Sequence, residues 1–147
     1  MAQDDEVGIA LGSRPTGATV SDLDGHPVDL RTVIGKKPVL FEFWATWCPR
    51  CAALVPKMEA ARARYGDRVD FVAIAVAVGQ TPAAIKRHLT RHAIPFRVFY
   101  DDDGSAVRAF QAPATSFVVI LDGDGKVVYT GIGEEQDIDG AVKRVLR

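Results

Sequence analysis

The sequence predicts an α/β fold, a central mixed β-sheet flanked by helices, and three observations carry that expectation. Two largely apolar runs, Val39–Trp44 and 69–78, have the pattern of strands buried on both faces. Each run is followed by a stretch with helix signals. The chain then closes with a hairpin and a last helix, which sets antiparallel strands beside the parallel pair.

Taken in order, residues 1–17 read as a loose acidic lead-in and 18–147 as one folded domain. Residues 19–30 place Asp24-Gly25 between two extended stretches, a hairpin signal. Gly35-Lys36-Lys37-Pro38 is a turn that leads into the first buried strand, which a single acid, Glu42, interrupts. Residues 49–65 are rich in Ala, Leu, Met, Lys and Arg and predict a helix, ended by Gly66-Asp67. After the second strand, Thr81 is an N-cap and Pro82 a first helical residue, and this helix is expected to reach His92. A short strand at 96–100 precedes the turn Asp101-Asp102-Asp103-Gly104 and a brief helix at 105–110. Strands 117–121 and 126–130 flank Asp122-Gly123-Asp124-Gly125, and 137–146 forms the closing helix.

At 147 residues the chain suits one domain with a core large enough to need no disulfide staple. Its 18 basic and 19 acidic residues leave a net charge of -1, which argues against electrostatic binding to nucleic acid or a membrane surface. No apolar run approaches a bilayer span. A monomer is expected. The start, Met1-Ala2-Gln3-Asp4-Asp5-Glu6, is polar and lacks the apolar stretch of a signal peptide. It suits either a cytoplasmic N-terminus or a mature chain whose export signal is gone.

There are two cysteines, Cys48 and Cys51. A disulfide across so short a loop constrains little of the unfolded chain, so its use is not structural. Two thiols cannot complete a zinc site alone, and His26, His88 and His92 show no spacing that would finish one. The histidines read as surface or loop residues. No metal is expected, and no cofactor beyond the redox-active disulfide itself. A paired, non-structural dithiol is most often redox-active.

The stretch Phe43-Trp44-Ala45-Thr46-Trp47-Cys48-Pro49-Arg50-Cys51 closely resembles the active-site segment of the thioredoxin superfamily. The N-terminal hairpin, the Gly-Lys-x-Pro approach to the strand, the insert 79–100 and the Leu-Asp-x-Asp-Gly-Lys hairpin are similar to its TlpA/ResA branch. The resemblance implies a thioredoxin-like fold with an N-terminal β-hairpin and a central βα insert. It also implies a thiol–disulfide oxidoreductase that meets cysteines of client proteins and an upstream thiol electron donor. Members of that branch are mostly extracytoplasmic reductants that keep client cysteines reduced, as in cytochrome c assembly. A periplasmic or membrane-tethered location follows by resemblance, with the cytoplasm as the alternative.

The residues support the same chemistry. Cys48 falls where a strand meets a helix, and free N–H groups there favour a thiolate, the nucleophile of disulfide exchange. Cys51, one turn on, can attack a mixed disulfide formed at Cys48. Pro49 forfeits no hydrogen bond in the first turn, and Arg50 adds a positive charge beside Cys48. Pro56 is expected only to distort the helix. Glu42 should be buried with a raised pKa; by resemblance it exchanges protons with the resolving cysteine. The alternative is an edge position where Glu42 reaches solvent. Gln80 stands where ResA-like proteins often carry a glutamate, and a loop glutamine at the surface is an equally good reading.

The stretch before the last hairpin departs from the family pattern. Phe110-Gln111-Ala112-Pro113-Ala114-Thr115-Ser116 stands where a proline in cis is usual. Gap-free matching puts Ser116 at that place, with Thr115 presenting its backbone to a substrate; Pro113 is the alternative. Of the two tryptophans, Trp44 is expected in the core and Trp47 exposed and substrate-facing. A second function class stays open: a client- or metal-binding module without turnover.

Overall fold

The computed structural model describes residues 7–146. Seven strands form one sheet: β1 (Thr19–Ser21), β2 (Pro27–Asp29), β3 (Val39–Trp44), β4 (Asp70–Val76), β5 (Arg97–Asp101), β6 (Val118–Leu121) and β7 (Val127–Gly131). Four helices accompany them: α1 (Pro49–Tyr65), α2 (Pro82–Leu89), α3 (Ser105–Phe110) and α4 (Ile138–Val145). The strand order is β2-β1-β5-β4-β3-β6-β7. The β3–β4 and β4–β5 pairs are parallel, and β3–β6, β6–β7, β1–β2 and β1–β5 are antiparallel. The expected mixed α/β sheet is therefore present, with the N-terminal hairpin extending one edge and the final hairpin forming the other.

β3 is the centre of the molecule because every one of its six residues is buried. Successive side chains of a strand point to opposite faces. Val39, Phe41 and Phe43 pack on one side with Phe110, Phe117 and Val119. On the other side Leu40 packs against Leu54 and Met58 of α1 and Ile138 of α4. Trp44, further along that face, joins Cys48, Cys51 and Ile85. Alternation puts Glu42 between Leu40 and Trp44, in the layer that β3 shares with α1.

Four expectations shift. The described part of the lead-in is not loose: Ile9 is buried in the core and its N–H donates to the Phe110 carbonyl. Gly8, at φ 70, lies so close to the Phe117 ring that a Cβ there would meet it at 2.5 Å, so the chain at Gly8 and Ile9 is held against the core; residues 1–6 lie outside the described part. β4 stops at Val76, two residues early, because the chain turns there and Val78 is 70% exposed. α2 ends at Leu89 with Thr90 as its cap, short of His92. The 96–100 strand is displaced by one residue, so Asp101 belongs to β5 rather than to the turn.

Candidate active site

The site lies where β3 ends and α1 begins. Cys48 is the N-cap of α1, and Pro49 occupies its first turn. Cys48 and Cys51 form a disulfide. The Cys48 Sγ accepts the backbone N–H of Cys51 at 3.1 Å, and the Cys48 carbonyl receives the N–H of Ala52. A sulfur at this position faces the unpaired N–H groups and the positive end of the helix, which favour negative charge on it after reduction. Arg50 is exposed beside it.

The two sulfurs differ in access. Cys48 lines a cavity of about 370 Å³, together with Trp44, Val55, Pro56, His88 and Ile94. Cys51 is 1% exposed and is not part of that lining; its Sγ lies 3.9 Å from the Phe43 carbonyl oxygen, against β3. Cys48, itself only 5% exposed, borders a mostly apolar recess, and Cys51 does not.

Glu42 is buried as expected, at 1% exposed, and its Oε2 has no hydrogen-bond partner. Burial alone raises its pKa to about 8. That value is near the ordinary thiol value of about 8.5, so a proton can pass between such a carboxyl and a thiol with little free-energy change.

Gln80 is not a surface residue. It is 6% exposed and reaches across to the segment that leads into Cys48. Its Oε1 accepts the Thr46 N–H at 2.9 Å, and its Nε2 donates to the carbonyls of Val76 at 2.7 Å and Trp44 at 3.4 Å. The indole N–H of Trp47 donates to the Val78 carbonyl, and the residue is 49% exposed, as expected. Trp44 is core, at 3% exposed.

The stretch 113–116 requires a correction. Ser116 is wholly buried, so it presents nothing to a client. Its hydroxyl accepts the Gly133 N–H, its carbonyl accepts from the Gln136 side chain, and its own N–H donates to the Phe43 carbonyl at 2.7 Å. These bonds hold it at φ 67, a region that non-glycine residues rarely enter. The Thr115–Ser116 peptide is trans. Thr115 is half-buried and Pro113 exposed, and none of the three lines the cavity beside Cys48. The recess opens toward α2 instead.

That side holds two histidines that the sequence read as surface or loop residues. The His88 ring meets Trp44 edge-on at 5.8 Å and lies 4.8 Å from the ring of His92, which also lines the recess. Burial, and secondarily the His92 charge, lower the His88 pKa. Their separation of four residues was the available signal; the His92 N–H donates to the His88 carbonyl, one turn past the end of α2. Among the described residues, the only grouping with metal-holding spacing is Asp22, Asp24 and His26. Asp22 there accepts the N–H groups of Asp24 and His26, as hairpin-turn residues do.

A dithiol that caps a helix at the end of a central strand, on a sheet of this order, defines a thioredoxin-like thiol–disulfide oxidoreductase. The chain belongs to the Redoxin family, whose model matches residues 11–146. It is similar to the thiol-disulfide oxidoreductase ResA of Bacillus anthracis, 27% identical over 143 residues that cover 96% of this chain and 82% of that protein. A secreted Mycobacterium tuberculosis disulfide oxidoreductase homologous to E. coli DsbE superposes with a TM-score of 0.70 at 26% identity, covering 86% of this chain and 95% of that one. The fold also matches a putative thiol:disulfide interchange protein DsbE from Chlorobium tepidum, with a TM-score of 0.78 at 22% identity over 94% of this chain and 96% of that one.

Proposed function

We propose that the protein exchanges its Cys48–Cys51 dithiol with disulfides of client proteins as a reductant, and that it works outside the cytoplasm. The observation that carries the division of labour is the unequal access of the sulfurs, Cys48 on the recess and Cys51 off it. The Cys48 thiolate attacks one sulfur of a client disulfide, forming a mixed disulfide and releasing the other client sulfur as a thiolate. Cys51 gives up its proton and attacks the Cys48 sulfur. The client's second sulfur leaves as a thiolate and the Cys48–Cys51 disulfide forms. Two electrons have passed to the client, and a thiol donor must return them.

Glu42 is the proposed acceptor of the Cys51 proton, because it stands on the α1-facing side of β3 with a carboxyl oxygen free and a pKa of about 8. Trp47 and the apolar recess meet the client chain around its cysteine. The reducing direction and the location are proposed from the likeness to the TlpA/ResA branch; among the described residues no helix is long and apolar enough to cross a membrane.

The test is a trapping experiment. Cys51→Ser should accumulate mixed disulfides with client proteins, and Cys48→Ser should accumulate none. Better trapping by the Cys48 variant would reverse the two roles. Reduction of insulin in the presence of dithiothreitol checks turnover; an inactive wild-type protein would leave only a binding module.

A further inference from the structure

The β4–α2 loop holds the approach to Cys48 from one side. Its central contact is Gln80, which serves three backbone groups with one side chain: the Thr46 N–H, the Val76 carbonyl and the Trp44 carbonyl. Two of those groups belong to the segment that precedes Cys48, and the third to the end of β4. Gln80 is held in turn, since the Tyr100 hydroxyl donates to its backbone carbonyl at 3.1 Å. The segment it grips is a tight turn in which the Cys48 N–H donates to the Ala45 carbonyl. Fixing Thr46 therefore fixes the direction from which Cys48 enters its capping position.

We infer that Gln80 is a positioning residue for the reaction: its amide latches the Trp44–Thr46 segment so that the Cys48 sulfur stays on the helix N–H groups when the disulfide opens. The residue type matters. Only an amide offers an acceptor and two donors together without a change of charge. A carboxyl at this buried place could accept from Thr46 and donate once, to Val76, while protonated. Once ionised it would lose its donor and set a negative charge against two carbonyl oxygens. The amide thus keeps the latch closed at every pH in which the protein works.

This inference rests on the proposed nucleophilic role of Cys48, and the experiment separates the two. The alkylation rate of Cys48 by iodoacetamide is measured against pH in the Cys51→Ser background, where Cys48 is the only thiol. Gln80→Met keeps the side-chain volume and removes all three bonds. It should lower the rate at neutral pH about fivefold, the weight of a lost helix-end interaction near 1 kcal/mol. Gln80→Glu should approach Gln80 at low pH, lacking only the longer bond to Trp44, and show a second inflection as its carboxyl ionises, which Gln80→Met and the parent lack. If both variants melt at lower temperature but retain the parent's single titration of Cys48, Gln80 is structural only and the inference falls. If the parent's Cys48 itself titrates at or above about 8.5, the nucleophile assignment fails instead.

Discussion

Glu42 and Asp101 are both closed off from solvent, each 1% exposed, on strands of one sheet that flank β4. Their surroundings are opposite. The Asp101 carboxylate accepts the N–H of Ala106 at 3.0 Å and that of Val107 at 2.9 Å, and so caps α3, whose N-cap, Gly104, has no side chain to do it. Burial pushes the Asp101 pKa up, and those two N–H groups pull against it. Glu42 has an oxygen with no partner and nothing that opposes burial. Exclusion from solvent alone therefore does not assign a role to an acid. The acid with donors completes a helix end, and the acid without them is the one proposed above to exchange a proton with Cys51.

The largest expected effect breaks the comparison at Glu42. Its folded pKa of about 8 stands above the reference value of 4.5. The folded state then holds a proton that the unfolded chain gives up, so the stability tied to that proton is full below pH 4.5 and is lost as pH rises toward 8. Each pKa unit is worth about 1.4 kcal/mol, which makes the loss roughly 3 kcal/mol by pH 7. Glu42→Gln should recover that amount at neutral pH and flatten the pH dependence of denaturant midpoints. It should also slow resolution of the mixed disulfide more than the first attack, which stopped-flow kinetics would resolve. Unchanged stability across pH 5–8 would mean that Glu42 ionises without penalty, and the contrast with Asp101 would collapse.

A smaller effect is expected at Asp101. Asp101→Ala leaves two N–H groups at the start of α3 without their acceptor. The expected loss is about 2 kcal/mol, the usual consequence of orphaning buried donors. Cys48 reactivity and client turnover should not move, because α3 packs on the other face of the sheet, in the Phe41 and Phe110 cluster. Equal damage to stability and turnover would tie the two acids into one network.

The contrast also shows what was legible from sequence. Glu42 could be read in advance because an acid inside an apolar run on a central strand has nowhere to go but inward. The dithiol and the two tryptophans were legible for a similar reason, since local pattern specifies them. Asp101 read as one of three turn aspartates, and only the placement of β5 against α3 turns it into a cap. Gln80 stayed open between a family position and a surface loop, and His88 read as surface or loop, on the same grounds. A glutamine at the start of a loop carries no sign of burial until β4 and the Trp44–Thr46 segment are brought together around it. The gap-free match placed Ser116 at the usual proline position, facing a client; instead its N–H meets the Phe43 carbonyl inside the core. It could not show that Gly133, far along the chain, claims the hydroxyl.

The smallest effect concerns a charge that is not buried at all, and it sharpens the rule that surroundings decide. Arg50 stands beside Cys48 in the first turn of α1 but is exposed. Water and salt screen such a charge, so its influence on the sulfur is modest. The Cys48 thiol of the reduced protein is expected to titrate well below about 8.5, with the helix N–H groups supplying most of the shift. Arg50→Ala should raise that value by about half a unit at low salt, and by less at high salt. Absorbance of the thiolate, followed through pH at two salt concentrations, measures both. A shift of more than about one unit that persists in high salt would show that Arg50 acts through the interior rather than through solvent. The line drawn between buried and exposed ionisable groups would then be in the wrong place.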